Sequence, residues 1–258
     1  MTQLGCNYSP VLLDLLRRKE LDVDWIKLSV VEALEAEIAL CRSLRPCLVH
    51  TLPRSGLVPE KFAAIDWDQV GRNLLNAGSP HVALHLEARR ADGPAEGAVS
   101  RIIAQVRTAA ERLPIPLLVE NVVYRKGSDI YGVCAKPETV AAVVEGADVG
   151  LLLDTAHLRC SAHNLGLGAR EYALLLPLDR VREIHVAGIR RMDDGQLNDS
   201  HAEIQEEDYD LLAWLLEQTR PQMVTLEYGG TGPIYERPGM TDPDALRRQL
   251  CRLKEMLS

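Results

Sequence analysis

The chain has 258 residues and a hydrophobic content of 47%, enough to bury a sizeable core in one large α/β domain. Lysine and arginine number 29 against 37 aspartates and glutamates; the net charge of -8 repels nucleic-acid phosphates, and 4% aromatic residues, with Phe62 the single phenylalanine, offer little surface for base stacking. No apolar run reaches the ~18 residues of a membrane span, and the opening MTQLGCNYSP lacks the basic and apolar regions of a secretion signal, so a cytoplasmic location is expected.

In chain order, hydrophobic periodicity predicts a strand at 3–7 and a helix at 10–18, then strand 25–29 and helix 30–43. Strands at 47–52, 81–87 and 116–122 follow, each trailed by a helix, at 66–77, 95–113 and 137–145. The last third continues with strand 149–155, helix 168–176, strand 181–188, helix 206–219, strand 222–229 and helix 242–257. Lys136-Pro137-Glu138 and Thr241-Asp242-Pro243-Asp244 carry the proline and acidic residues of helix starts. Eight strands alternating with eight helices predict a (β/α)8 TIM barrel, read as a single domain over residues 1–258. The longest polar insertion, Gly188 to Gln205, is expected to be a flexible functional loop.

Six of the strand-like runs end in a residue able to bind metal: His50, His85, Glu120, Asp154, His185 and Glu227. Asp154-Thr-Ala-His157 and Asp199-Ser-His201 add three donors and bring the set to nine. In a closed parallel barrel all strand C-termini emerge on one face, so donors far apart in sequence converge. Five of the seven histidines belong to this set, and His81 and His163 fall outside it. A lone histidine or glutamate at a strand end is more often a hydrogen-bonded barrel residue than a ligand. Several buried acids together need compensating charge, which favours metal. Imidazoles and carboxylates without a thiolate cluster suit iron, zinc or manganese, and nine donors exceed what one ion uses, so two or three ions are expected. Glu87 and Glu183 are left out, because strand alternation leaves their facing undecided. Asp199 and His201 stand on that flexible stretch, so their ion is expected to be the weakest held.

The second half of the chain resembles a known family. LLLDTAHLRCSAHNLG, then EYALLLPLDRVREIHVAG, NDSH and VTLEYGG are similar in order and spacing to the multinuclear non-heme iron-dependent oxidative enzymes, the family of the methanobactin-biosynthesis iron oxidase. The piece Ser161, Ala162, Asn164, Gly166 is specific, and LVENVVY around Glu120 and Asn121, with His50 and His85, extends the likeness toward the N-terminus. The resemblance implies a barrel with two or three irons, Fe2+ or Fe3+, that oxidises cysteine or another residue of a ribosomally made peptide with dioxygen. A separate partner protein commonly recruits the peptide. It also implies iron ligation by His50, His85, Glu120, Asp154, His185, Asp199, His201 and Glu227. One position departs: many members carry Asn where this chain has His157.

With His157 in place the donors also resemble those of endonuclease IV, a trizinc phosphodiesterase, although the net charge of -8 does not favour DNA. Sugar isomerases and epimerases of the same barrel class, using two carboxylates and two histidines around one ion, would leave part of the set unexplained. A silent metal-binding scaffold is a further alternative. Gly229 to Pro233 reads as a plain turn before a phosphate cradle, and Tyr228, Tyr235 and Arg237 as candidate lining of a substrate mouth. Arg190 and Arg191 could meet an anion or solvate the insertion. The six cysteines show no C-x-x-C pair and read as buried thiols; Cys160 alone lies near the donor motifs.

Overall fold

Short apolar runs become strands where β-branched and leucine residues are bounded by turn-forming ones, and all eight of the expected strands form. The computed structural model describes residues 1–29, 34–50, 62–89, 97–130, 132–229 and 241–258. The barrel strands are β1 (Gln3–Asn7), β2 (Trp25–Ser29), β3 (Cys47–His50), β4 (Val82–His85), β5 (Leu117–Glu120), β6 (Gly150–Asp154), β7 (Val181–Val186) and β10 (Met223–Leu226). Their order is β3-β2-β1-β10-β7-β6-β5-β4, and every neighbouring pair is parallel. The result is a nearly closed TIM barrel. Between β3 and β4 no ladder forms among the described residues; instead the Val49 N–H donates to Ser79 Oγ (3.0 Å), and that hydroxyl donates to the His81 carbonyl (2.6 Å).

The helices are α1 (Pro10–Arg17), α2 (Leu34–Arg42), α3 (Trp67–Ala77), α4 (Ala98–Arg112), α5 (Pro137–Ala147), α6 (Thr155–Leu165), α7 (Ala169–Leu174), α8 (Glu206–Gln218) and α9 (Pro243–Met256). Asp242 caps α9 by accepting the Ala245 N–H, with Pro243 in the first turn, as the sequence predicts. Outward strand residues such as Val82, Leu84, Val119, Leu151 and Leu153 join helix residues Ile102, Val106 and Val140 in one core layer around the barrel. Inside, Ala83, Leu118 and Leu152 form a small separate cluster one pleat below the donor residues. The period-two alternation of each strand thus sends one set of side chains to the helices and the other to the barrel axis.

Two elements differ from the sequence-based expectation. Helix α6 begins directly at the end of β6, where no helix is expected before residue 168, so His157 stands in the first turn of a helix. The insertion after β7 is not a flexible loop. It is an antiparallel hairpin, β8 (Gly188–Arg191) with β9 (Leu197–Ala202), turning through Gly195 in the left-handed region at φ 82°. Gly195 supplies the positive φ that such a turn needs. A Cβ on Gly188 would lie 2.5 Å from the Glu203 carbonyl, so only glycine lets the two backbones cross there. No helix among the described residues is long and apolar enough to cross a membrane.

Candidate metal centre

Strand register places the donors side by side: His85 is opposite Glu120, and Asp154 is opposite His185, which also pairs with Thr225 two residues before Glu227. All nine candidates meet in one linked cluster at the strand C-termini. His50 Nε2 and His85 Nε2 approach Glu120 Oε2 at 3.3 and 3.0 Å. His157 Nδ1 lies 3.5 Å from Glu120 Oε1, and His157 Nε2 lies 3.7 Å from Asp199 Oδ2. His185 Nδ1 faces Glu227 Oε1 at 3.4 Å, Glu120 Oε1 at 3.8 Å and Asp154 Oδ2 at 3.9 Å. His201 Nε2 completes the ring, 3.2 Å from Asp199 Oδ2 and 3.3 Å from Glu227 Oε2. Asp154 and His185 are fully buried, whereas His85, Asp199 and His201 are partly exposed and mark the mouth.

Three of the histidines are held by one ring nitrogen and present the other. A carbonyl or carboxylate oxygen can only accept, so its partner nitrogen carries the hydrogen. His157 Nδ1 donates to the Asn121 carbonyl (2.8 Å) and His201 Nδ1 to the Gly229 carbonyl (3.2 Å). His185 Nε2 donates to Glu183 Oε1 at 3.1 Å. That carboxylate is fixed in turn by the Thr225 hydroxyl and His81 Nε2, each at 2.6 Å. Such outer contacts set tautomer and ring orientation at metal-binding histidines.

The backbone around the carboxylates is pinned as well. Asn121 donates to the Asp154 carbonyl (3.0 Å) and accepts from the Asp154 N–H (2.9 Å), while Asp154 Oδ1 caps α6 by accepting the His157 N–H (2.7 Å). Asn7 does the same beside Glu227, accepting the Tyr228 N–H and donating to the Gly229 carbonyl, both at 3.1 Å. On the hairpin, Asn164 of α6 accepts the Leu197 N–H (2.9 Å) and donates to the Leu197 and Tyr124 carbonyls (2.9 and 2.7 Å). His201 adopts φ 46°, a left-handed conformation uncommon for a residue with a Cβ, and this bend turns its ring toward Glu227.

The electrostatics follow from burying many acids in one place. Burial pushes the Glu120 carboxyl up to about 8, against the pull of His157. Burial alone would raise Asp199 too, but His201 and His157 hold it well below the usual carboxylate range. His50 is driven down by burial and by Lys27. Burial would also depress His157, yet Asp154, Asp199 and Glu120 carry it well above an ordinary histidine. Glu120 Oε2, Asp154 Oδ2 and His185 Nδ1 are buried without a hydrogen-bond partner, which native proteins rarely tolerate unless an ion or water completes the site. The atoms of three groupings, His50–His85–Glu120, His50–His185–Glu227 and Glu120–Asp154–His157, each lie within 4.8 Å of one another. Oxygen and imidazole donors with orphaned lone pairs fit a cluster of first-row divalent ions.

A family model described as "RiPP precursor modification enzyme MbnB/TglH/ChrH" matches residues 94–237, more than half of the chain. The chain belongs to this family. The matched MbnB/TglH/ChrH segment contains seven of the nine donors, and His50 and His85 precede it. A UPF0276 protein of Bordetella pertussis is 34% identical over 146 residues, covering 54% of this chain and 49% of that protein. A UPF0276 protein of Streptomyces avermitilis is 28% identical over 201 residues, covering 70% of this chain and 39% of that one. The chain therefore spans about half the length, or less, of these curated relatives.

Solved structures share the barrel. A xylose isomerase domain containing protein from Salmonella typhimurium superposes with a TM-score of 0.65 at 15% identity, covering 100% of this chain and 98% of that one. An AP endonuclease, family 2, from Brucella melitensis gives 0.62 at 17%, covering 91% and 96%. The IOLI protein with a binding zinc atom gives 0.62 at 12%, covering 100% and 98%. At these identities the likeness is one of fold.

Several residues around this MbnB/TglH/ChrH-type centre escape a reading by strand ends. Glu183, left out of the expected set, is the orienter of His185, and His81 is its second partner. Asn121 and Asn7 hold backbone, and Lys27, inside β2, forms an ion pair with Glu227. A lysine flanked by Ile26 and Leu28 in a buried strand is the signal that could have found it. Other candidates have structural roles. Cys160 is buried on α6, and burial pushes its thiol up. The Tyr228 hydroxyl accepts the Asp242 N–H (3.2 Å), and Arg191 donates to the Gly195 carbonyl (3.0 Å) in the hairpin turn. Gly230 to Pro233, Tyr235 and Arg237 lie outside the described residues.

Proposed function

We propose that this chain is a multinuclear, iron-dependent oxidase that uses dioxygen to modify a cysteine or another residue of a ribosomally made peptide. The observation that carries the reading is the nine-donor cluster with orphaned buried lone pairs, seven of whose members fall within the segment matching a peptide-precursor modification family. His50, His85 and Glu120 would hold one ion, and Asp154, His157, His185, Asp199, His201 and Glu227 would complete the centre. Zinc and manganese suit the same donors; the likeness to the non-heme iron oxidative enzymes supports iron. Bound iron would supply Lewis acidity for a substrate thiolate and would relay to dioxygen the electrons that the oxidised peptide gives up.

The chain's own residues do the positioning. Glu183, the Asn121 carbonyl and the Gly229 carbonyl fix which nitrogen of His185, His157 and His201 points inward. Ala83, Leu118 and Leu152 seal the barrel floor against water beneath the donors. The partly exposed side, at His85, Asp199 and His201, is where a peptide side chain would enter, presented by a separate recruiting protein.

The test is to load the protein anaerobically with ferrous iron, admit air, and offer cysteine-containing precursor peptides with and without candidate partner proteins. Oxygen uptake coupled to a mass change on the peptide is expected. Zinc-supported cleavage of an abasic duplex, with no oxygen uptake across the peptides, would replace this reading with the phosphodiesterase one.

A further inference from the structure

Lys27 has no part in the donor set, yet it stands inside it. Among the described residues it is the buried member of the lysines and arginines, placed on β2 where Asn7 of β1 and Leu48 of β3 are its register partners. Its ammonium is ion-paired with Glu227 Oε1, the same oxygen that lies 3.4 Å from His185 Nδ1. Glu227 and His185 belong to one of the three donor groupings. An ammonium therefore already occupies the flank of one of the two oxygens that Glu227 can offer to an ion in that grouping.

Charge balance gives the same answer. Glu120, Asp154, Glu183 and Glu227 are buried and Asp199 lines the mouth, so with neutral imidazoles five carboxylates face one ammonium. The centre carries four negative charges in excess. Two divalent ions neutralise it, whereas a third leaves two positive charges that only a bound anion from outside the chain would offset. Donor sharing points the same way: His50 appears in two of the three groupings and Glu120 in two, and a neutral imidazole binds one ion.

We infer that Lys27 is a resident cation that limits the centre to two metal ions, holding at Glu227 the place a third would fill. The inference rests on the metal-centre reading above. A lysine that only supports the fold would leave the ion count unchanged when replaced.

The experiment is a metal count on the full chain and on K27M, K27Q and K27R. Each is incubated anaerobically with excess ferrous ion, and separately with zinc ion, desalted, and measured by elemental analysis and native mass spectrometry. Two ions are expected in the wild type and in K27R, and three in K27M and K27Q, where the charge is gone. Three ions in the wild type, or two or fewer in both neutral variants, overturn the inference while the metal-centre reading stands. A wild type that retains no ion removes that reading itself. Should the neutral variants fail to fold, lysine-selective 15N NMR of the zinc-loaded wild type decides: a Lys27 ammonium signal protected from solvent after loading supports the inference, and its loss to the freely exchanging pool contradicts it.

Discussion

Residue by residue, the centre is an exercise in placing protons. Ligands must be deprotonated before metal binds, and burial holds the Glu120 carboxyl up at about 8. Loading at pH 7 is therefore expected to release protons, measurable by calorimetry in buffers of different ionisation enthalpy; release that Glu120→Gln leaves unchanged would contradict this. The same displacement has a stability consequence. A carboxyl raised from 4.5 to about 8 on folding contributes stability that is full below its unfolded value and is lost as pH rises through the folded one. His157, raised well above 6.5, acts in the same direction, while the depressed His50 and His185 titrate below this window. Metal-free protein should lose about 1 kcal/mol from this glutamate between pH 7 and 9, seen as a falling denaturation midpoint that flattens in Glu120→Gln. Glu183 offers a separate test. Since it fixes His185 through Nε2, Glu183→Gln should weaken metal affinity about 10- to 100-fold with the circular dichroism of the barrel retained. Affinity equal to wild type would show that His185 needs no orienter.

At the level of elements, the seam between β3 and β4 is where a bound metal would have mechanical consequences. Ser79 bridges the seam below, and at the rim His50 and His85 stand on opposite sides of it with Glu120 between them. An ion bound there would tie β3 to β4, so amide exchange in residues 47–50 and 82–85 should slow on loading more than exchange in β6 and β7. Equal slowing everywhere would argue against a local tie. The hairpin β8–β9 depends on Asn164, which makes three hydrogen bonds to the chain around it. Asn164→Ala should cost about 1–3 kcal/mol and lose metal from the Asp199 and His201 side first. The strands were legible in the sequence because each is a short apolar run bounded by turn residues, and the donors were legible because they terminate those runs. Helix α6 was not, since Thr155, Ala156, His157, Leu158, Cys160, Ser161 and Ala162 are all buried and leave no one-sided apolar stripe to detect. The hairpin escaped for the opposite reason: β9 is partly exposed along its whole length and shows no alternation, so only Asp194-Gly195 announced it. Glu183 and Lys27 were missed because a strand-end rule ignores the inward residue two positions earlier.

For the molecule as a whole, metal should act as a folding ligand. Anything that binds the native state alone stabilises it by mass action, about 2.7 kcal/mol at a hundredfold excess over the dissociation constant. Loaded protein should therefore melt higher than the chelator-treated form. The five buried cysteines, with Cys6 pushed up to about 12 by burial, should resist alkylation in the native state and leave Cys251 as the single fast-reacting thiol. The central claim is that nine side chains drawn from β3, β4, β5, β6, α6, β7, β9 and the residue after β10 together hold metal. Anomalous diffraction from crystals loaded anaerobically with ferrous iron, recorded on either side of the iron edge, tests it most directly. Two peaks enclosed by His50, His85, Glu120, Asp154, His157, His185, Asp199, His201 and Glu227, with the Lys27 ammonium still against Glu227, are predicted. Peaks elsewhere on the chain, or a donor cluster without anomalous signal in protein that elemental analysis shows to be loaded, would contradict it.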